Sequence, residues 1–270
     1  RQPSMMQVKL RINETMEQNA AHYFEESKKA KHKMEGAQKT VDRYRAELNR
    51  LEEKKEEEIE LLNKKEEEKA QRASRPQKWY HKFRWFVTSD GLLAVGGRDA
   101  TSNEVLIKKH AEPGDLVFHT DMAGSPFFVV KTGGKKASPE SIREAADATC
   151  TFSRAWKLGM GAQDVFWVTP EQVSKTAQSG EYLTRGAFVI RGKANYVDNK
   201  VNLALGVDAD GFVMGGPYSA VKAHCKTVVR VEQGDKKPSD IAKQIAKKID
   251  ADVDEIVRVL PSGEFRFVRD

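Results

Sequence analysis

A heptad pattern in the first quarter of the sequence limits the possible fold more than any other feature. From Ala20 to about Leu62, apolar or small residues recur at steps of three and four residues, which is the spacing of a coiled-coil seam. The two seam positions are filled in turn by Ala20, Ser27, Met34, Val41, Leu48, Lys55 and Leu62, and by Tyr23, Ala30, Ala37, Tyr44, Leu51, Glu58 and Lys65. The pattern is regular through Leu51 and predicts one long helix.

A helix of this kind cannot bury its seam against itself, so it needs a partner. The sequence leaves two candidates for this partner: the same helix of a second copy, by self-association, or a return helix from the full-length protein. The sequence begins with Arg1 rather than Met, so we expect a piece of a longer chain. The segment Ala73-Ser74-Arg75-Pro76 ends the pattern, because proline cannot continue a helix. We predict a coiled-coil arm over residues 1–75 and a second domain over residues 76–270.

The second domain is predicted to have an α+β fold. Helices are expected from Thr101, where Glu104 completes a capping box, from Ser138-Pro139 to residue 156 or 157, and over Pro238–Ile249. Because strands and helices do not alternate strictly, we expect a mixed or mainly antiparallel sheet with packed helices. Apolar runs between turn residues predict strands at Phe83–Thr88, Leu92–Val95, Leu116–His119, Phe127–Lys131, Val165–Val168, Ala187–Arg191, Val201–Val207, Gly211–Gly215 and Lys226–Val231.

The charge balance favours an anionic partner without identifying it. Charged residues make up 32% of the chain, the formal net charge is +6 and the isoelectric point is about 9.1.

The cysteines and the apolar runs indicate the compartment. Cys150 and Cys225 stand in no metal-ligand or redox spacing, which indicates buried free thiols in a reducing compartment. No apolar run approaches the roughly 20 residues of a membrane span, and no secretory signal opens the sequence. We therefore expect a cytoplasmic protein without a cofactor.

The run Trp79-Tyr80-His81-Lys82-Phe83-Arg84-Trp85-Phe86 mixes aromatic rings with cations. Rings can stack on bases and cations can contact phosphates, so the run suits nucleic acid. Aromatic residues at nearly alternate positions are also typical of a half-buried strand. We favour core packing for most of the rings, with Lys82 and Arg84 facing outward.

Two glycine pairs invite a phosphate-binding interpretation, and each has a plainer alternative. Gly96-Gly97 lies between a strand and a helix start, where free amides and Arg98 would attract an anion. The alternative there is a tight turn that Asp99 and Thr101 cap. Gly133-Gly134-Lys135-Lys136 lacks both the spacing of a P-loop and the Ser or Thr that must follow its lysine. We interpret this second pair as a flexible basic loop that can contact phosphate.

No constellation of residues indicates an active site. His119 and Asp121 lie near a strand end, with His110 and Asp115 close in sequence, so a metal site is conceivable. A polar strand end is the favoured alternative, because no metal-ligand spacing supports the site. No serine stands in a nucleophile motif. We expect neither enzymatic activity nor a bound metal.

Collinear motifs along nearly the whole chain carry a family resemblance. They include Trp79-Tyr80-x-Lys82-Phe83-Arg84-Trp85-Phe86, Gly96-Gly97-Arg98-Asp99-Ala100, Lys108-Lys109-His110, His119-x-Asp121, Gly124-Ser125-Pro126, Ser153-Arg154-Ala155-Trp156, Lys175-Thr176-x-x-Ser179-Gly180-Glu181-Tyr182-Leu183 and Arg191-Gly192-Lys193-x-Asn195-Tyr196. With these motifs the chain resembles the NFACT family of ribosome quality-control proteins, the NEMF and RqcH group that is also labelled fibronectin-binding-A-like. The resemblance is strongest to the archaeal branch.

The resemblance implies a middle coiled coil followed by an RNA-binding NFACT-R domain. Family members bind a large ribosomal subunit that still holds peptidyl-tRNA after stalling, so the implied partners are the large subunit and tRNA or rRNA. The resemblance covers no part of the family's N-terminal domain, and it implies no tailing of nascent chains here. The alternative is a coiled-coil adhesion or scaffold protein that binds protein ligands such as fibronectin, which a secretion signal and paired cysteines would favour.

The residues predicted to contact RNA are cationic or polar side chains at strand ends, helix starts and loops. They are Lys82, Arg84, Arg98, Asp99, Asn103, Lys108, Lys109, His119, Lys131, Lys135, Lys136, Arg154, Arg191 and Lys193.

Overall fold

The computed structural model of the chain describes residues 7–175 and 186–268. The chain divides into two compact units, Arg1–Ser74 and Arg75–Asp270. The first unit is built around one long helix, and the second is an α+β unit with its own hydrophobic cores.

The helix of the first unit, α1 (Met16–Ala73), is 58 residues long. The buried Asn19 side chain holds its start, because it accepts a hydrogen bond from the Arg11 amide at 2.8 Å and donates to the Thr15 carbonyl at 3.0 Å. Seam residues such as Tyr44 and Leu48 are exposed. The predicted long helix is confirmed, while its coiled-coil partner stays a prediction.

The elements of the second unit follow in chain order. The strands are β1 (Arg84–Val87), β2 (Leu93–Gly96), β3 (Leu116–Thr120), β4 (Phe128–Lys131), β5 (Val165–Val168), β6 (Val173–Ser174), β7 (Val189–Ile190), β8 (Asn195–Val197), β9 (Leu203–Val207), β10 (Val213–Gly216), β11 (Val228–Lys236) and β12 (Phe265–Phe267). The helices are α2 (Ala100–His110), α3 (Pro139–Thr151), α4 (Arg154–Lys157), α5 (Tyr218–His224), α6 (Pro238–Ile249) and α7 (Val253–Val259).

These strands form antiparallel sheets. The largest has six strands in the order β1-β2-β4-β3-β5-β8, a second has four in the order β10-β9-β11-β12, and β6 pairs with β7. The predicted α+β class, with a mainly antiparallel sheet and packed helices, is confirmed.

Alternation along the strands gives the six-stranded sheet two buried faces. On one face, Phe128 and Val130 join a core that continues through α3 into the four-stranded sheet. On the other face, Phe127 and Val129 pack with Leu106 of α2. The six-stranded sheet therefore lies between α2 and α3. No helix within the described ranges has both the length and the apolar character to span a bilayer.

The aromatic run before and within β1 is mostly core, as predicted. Phe83, Trp85 and Phe86 are buried, whereas Trp79 is 38% exposed. Trp79 belongs to a 3-10 turn, Trp79–Lys82, that precedes the strand. The rings therefore serve the packing of the second unit more than its surface.

Two details of the predicted helices need correction. The N-cap of α2 is Asp99 rather than Thr101, because the Asp99 carboxylate accepts a hydrogen bond from the Ser102 amide at 2.7 Å. Helix α3 ends at Thr151 instead of continuing to residue 156 or 157, and Ser153 caps α4 as a new helix. The helix is interrupted there because the Ser153 hydroxyl forms hydrogen bonds with backbone groups that a continuous helix would use.

Other bounds are close to the prediction. The helix at Pro238–Ile249 and the strand at Val165–Val168 are confirmed as predicted. Strand β11 continues past its predicted end, Val231, to Lys236 with a register shift near β12. The elements α5, α7, β6 and β8 were not predicted, because each is too short to show a clear period.

Candidate nucleic-acid interface

A cleft of about 520 Å³ opens in the second unit, where the starts of α2 and α4 approach the β3–β4 loop. One part of its wall is polar and mainly cationic: Arg84, Arg98, Asp99, Asn103, His119, Arg154 and Lys157. Another part is apolar and includes Pro126, Phe127, Phe152, Phe188 and Ile190. Each residue of the polar part except Lys157 is among those predicted to contact RNA.

Close packing explains the Gly96-Gly97 turn beside the cleft. A Cβ on Gly96 would lie 2.3 Å from the Phe128 ring. A Cβ on Gly97 would lie 1.8 Å from Oδ1 of Asn103, the atom that accepts the Phe127 amide at 3.1 Å. Gly96 therefore leaves room for the Phe128 ring, and Gly97 allows α2 to approach the sheet.

Three amides at the start of α2 are already hydrogen-bonded. The Arg98 and Asp99 amides donate to Ser102 Oγ at 2.7 and 2.9 Å, and the Ser102 amide donates to Asp99 Oδ1. That last bond is the main cause of the lowered pKa of Asp99. The structure therefore shows the tight, capped turn, and an anion in the cleft would meet cationic side chains rather than these amides.

Arg84, on β1, is the least exposed of the four cations in the cleft wall. Its Nη1 donates to the Gly97 carbonyl at 3.0 Å, and its guanidinium carbon lies 5.0 Å from the centre of the Phe152 ring. Its Nε is buried and has no hydrogen-bond partner among the described residues. The prediction that Arg84 faces outward is therefore wrong, because the side chain lines the cleft.

Burial lowers the pKa of the Arg84 guanidinium to about 10, with the charge of Arg98 as the second cause. The Asp99 carboxylate acts in the opposite direction. The guanidinium is still protonated at neutral pH, so the cleft holds a buried positive charge.

The break between α3 and α4 places two more cations at the cleft. Ser153 Oγ accepts a hydrogen bond from the Ala155 amide at 3.0 Å and starts α4. Arg154 and Lys157 then stand three residues apart, which puts them on one side of a helix. The β3–β4 loop touches the Arg154 stem, since a Cβ on Gly124 would lie 3.5 Å from Arg154 Cδ.

The four cleft cations, Arg84, Arg98, Arg154 and Lys157, form no ion pair with any residue that the structure describes. The carboxylate in the cleft wall, Asp99, is engaged by Ser102. The wall therefore carries an excess of positive charge, which favours an anionic ligand.

Lys108 and Lys131 differ from the cleft cations, because both have carboxylate partners. Lys131 Nζ lies 2.5 Å from Asp115 and 2.9 Å from Glu112. Lys108 Nζ lies 2.7 Å from Glu104. Neither lysine lines the cleft, and their contact with RNA stays a prediction.

Aromatic rings form the apolar part of the wall beside the cations. His119 stacks on Phe127 with ring centres 4.1 Å apart, and Phe188 meets Phe127 edge-on at 5.3 Å. Burial is the main cause of the lowered pKa of His119. The imidazole is therefore neutral at neutral pH, so positive charge in this wall comes from arginine and lysine.

A second group of predicted RNA contacts surrounds a ring stack outside the cleft. Trp79 stacks on His110 with ring centres 4.0 Å apart and planes at 10°. After burial, the charges of Lys82, Lys131 and Lys109 are the main causes of the lowered pKa of His110. A partly exposed ring among lysines is a surface on which a base can stack.

The remaining predicted contacts lie in exposed loops away from the cleft lining. Lys135 and Lys136 are exposed in the turn after β4. Arg191 and Lys193 are exposed after β7, where Gln172 Nε2 donates to their carbonyls at 2.8 and 3.1 Å. Their roles stay predictions, and the motif stretch from residue 176 to 183 lies outside the described residues.

Lys157 is the cleft cation that is not among the residues predicted to contact RNA. The spacing of Lys157 from Arg154 could have predicted that it joins the same surface, because two cations three residues apart share one side of a helix. The aromatic wall was harder to foresee, since Phe127 and Phe188 meet only when the chain is folded.

The structure also bears on the metal and cysteine hypotheses. Among residues 7–175 and 186–268, no group of three or more His, Cys, Asp and Glu side chains is placed to hold a metal ion. Asp121 instead accepts a hydrogen bond from the Tyr196 hydroxyl at 3.1 Å. Cys150 and Cys225 are buried free thiols, as predicted, and burial raises the pKa of each to about 11.

Comparison with known proteins gives the family. The family model described as "NFACT protein RNA binding domain" matches residues 82–192, a span that contains all four cleft cations. An archaeal Rqc2 homolog, aRqcH from Methanocaldococcus jannaschii, is 43% identical over 202 residues, which are 72% of this chain and 30% of that protein. The ribosome quality control complex subunit NEMF of Homo sapiens is 35% identical over 66% of this chain and 16% of its own length.

A solved structure, the C-terminal part of the fibronectin/fibrinogen-binding protein from Streptococcus suis, is 24% identical over 46% of this chain and 47% of that chain, with a TM-score of 0.37. A likeness of that size supports no conclusion about fold or function. The chain spans less than a third of the length of the curated relatives named above. From the family model and these relatives together, residues 82–192 of this chain belong to the NFACT family, as its RNA-binding domain.

Proposed function

We propose that this chain is the RNA-contacting part of a cytoplasmic ribosome quality-control factor. In this proposal it binds large ribosomal subunits that carry peptidyl-tRNA after stalling, and it touches tRNA or rRNA. The observation that carries the proposal is the cleft with four cations that have no carboxylate partner among the described residues. The relatives, which are named as ribosome quality-control subunits, supply the biological setting.

The proposed role is binding without catalysis. Two serine hydroxyls in the cleft lining have structural partners: Ser153 Oγ donates to the Cys150 carbonyl at 2.6 Å, and Ser125 Oγ donates to the Met122 carbonyl at 2.9 Å. We further propose that α1 acts as a reaching and docking arm, with its seam covered by a second copy or by a return helix.

Filter binding across a salt series tests the proposal. Residues 1–270 are titrated with tRNA and with large ribosomal subunits, and we expect log affinity to fall linearly as log salt rises, because binding releases counterions. Replacing Arg98 and Lys157 together with alanine should lower affinity and reduce the salt slope by about 1 to 2.

The matched control removes the same charge elsewhere. Lys243 and Lys247 are exposed on α6, outside the cleft lining, and their double alanine variant should retain most of the affinity. Binding to fibronectin with none to RNA would overturn the proposal and favour the adhesion alternative.

A further inference from the structure

The cleft contains a recessed cation, Arg84, and this feature distinguishes it from a basic surface on which all cations are exposed. Arg84 Nε is buried and has no hydrogen-bond partner among the described residues, while Nη1 donates a hydrogen bond to the Gly97 carbonyl. The phosphates of a continuous double helix lie on its outside and are reached by exposed side chains. A guanidinium set back in a cleft selects instead for a phosphate that can enter.

The apolar wall of the same cleft suits a nucleobase. Phe127 and Phe188 meet edge-on, His119 stacks on Phe127, and Ile190 adds aliphatic surface. Bases released from a helix bind to such aromatic and apolar side chains, and phosphates bind to neighbouring cations. A ligand that carries both groups would satisfy both parts of the wall.

The size of the cleft limits how much of an RNA strand it can hold. Its volume, about 520 Å³, lies within the range of roughly 300 to 1,000 Å³ that is typical of small-ligand sites. Arg98, Arg154 and Lys157 are exposed, so they remain accessible from solvent while Arg84 lies deeper. This arrangement suits one inserted nucleotide whose neighbours along the strand stay outside.

We propose that the cleft binds one unstacked RNA nucleotide, with its phosphate at Arg84 and its base against the half-buried side chains of Phe188 and Ile190. The three exposed cations then contact the phosphates on either side of the inserted nucleotide. This inference rests on the proposed RNA-binding function and names the element of RNA that the site takes.

Single nucleotides test the pocket without the rest of an RNA. Residues 1–270, labelled with ¹⁵N, are titrated with AMP, with adenosine and with inorganic phosphate, and the Arg84 Nε–H signal is followed by NMR. We expect AMP to shift that signal saturably. Adenosine and phosphate alone should each bind at least tenfold more weakly, because each satisfies one part of the wall.

Two variants address the two parts of the site. Arg84→Lys keeps the charge but loses the planar guanidinium, and it should weaken AMP binding at least tenfold. Arg230→Lys makes the same change on β11, outside the cleft lining, and should leave AMP binding unchanged. Ala123→Trp places bulk at the cleft from an exposed loop position, and it should block AMP without removing a cation. For the variants, binding is followed by AMP-dependent shifts in the amide spectrum.

The outcomes separate this inference from the proposed function. If residues 1–270 bind tRNA but AMP gives no saturable shift, or binds no better than phosphate, the nucleotide pocket is overturned and the RNA-binding function stands. If AMP binds but neither tRNA nor the large subunit does, the proposed function fails. Unchanged AMP binding in both Arg84→Lys and Ala123→Trp would place the nucleotide elsewhere and overturn the inference.

Discussion

At the scale of single residues, the buried charge of Arg84 lowers the stability of the free protein. Its guanidinium is charged and buried, and one backbone carbonyl is the hydrogen-bond acceptor found for it. Because the folded state holds this proton less tightly than the unfolded chain does, the buried charge lowers the free energy of unfolding at neutral pH. From the lowered pKa the cost is on the order of 3 kcal/mol.

Arg84→Met should therefore weaken RNA binding without unfolding the protein. The substitution removes the buried charge but leaves the Gly97 carbonyl unpaired, which costs about 1 to 3 kcal/mol. We expect the free energy of unfolding in urea to stay within about 1 kcal/mol of the wild-type value, while affinity for tRNA falls about tenfold. A loss of stability well above 3 kcal/mol would instead show that Arg84 mainly supports the fold.

At the scale of elements, the β2–α2 turn and the α3–α4 break determine which side chains reach the cleft. The turn brings α2 against the sheet through Gly97 and Asn103. The break at Ser153 redirects the chain, so Arg154 and Lys157 stand on a new short helix. Both features consist of a few residues, yet together they position three of the four cleft cations. Arg98 lies in the turn, and Arg154 and Lys157 follow the break.

Gly97→Ala should strain the β2–α2 turn. The added Cβ would lie 1.8 Å from Asn103 Oδ1, so the hydrogen bond that the Phe127 amide donates to this oxygen would be disrupted. We expect the free energy of unfolding to fall by about 1 to 3 kcal/mol, as in other overpacked sites. Gly161→Ala is the matched control, because nothing lies within 4 Å of its Cβ. Equal unfolding midpoints for the two variants would contradict the packing role of Gly97.

At the scale of the whole molecule, the two units differ in how they bury apolar surface. The second unit has cores that include Phe86, Leu205 and Ile245, each fully buried. The first unit consists mainly of α1, whose seam residues are exposed, and we predict that a partner covers them.

Residues 75–270 should fold without the first unit. Because their cores are internal to the unit, we expect one cooperative unfolding transition in circular dichroism and retained AMP and tRNA binding. Residues 1–74 alone should show concentration-dependent helicity if a second copy covers the seam. Non-cooperative melting of residues 75–270 would show that the helix contributes to the core of the second unit.

Several features of this protein were determined by sequence alone, because local periodicity and capping report them. The heptad seam predicted α1, Ser138-Pro139 predicted the start of α3, and alternating apolar runs predicted the main strands. The ordered motifs also identified the family. Composition favoured an anionic partner but did not show where it would bind.

Only the tertiary structure decided which of the predicted RNA contacts share one site. Arg84, Arg98 and Arg154 come from β1, the start of α2 and α4, and long-range packing of the antiparallel sheet brings them to one cleft. The structure also separated them from Lys131, whose charge is paired with Asp115. Sequence periodicity reports which face of an element is buried, but not the ion pairs and clefts that form between distant elements.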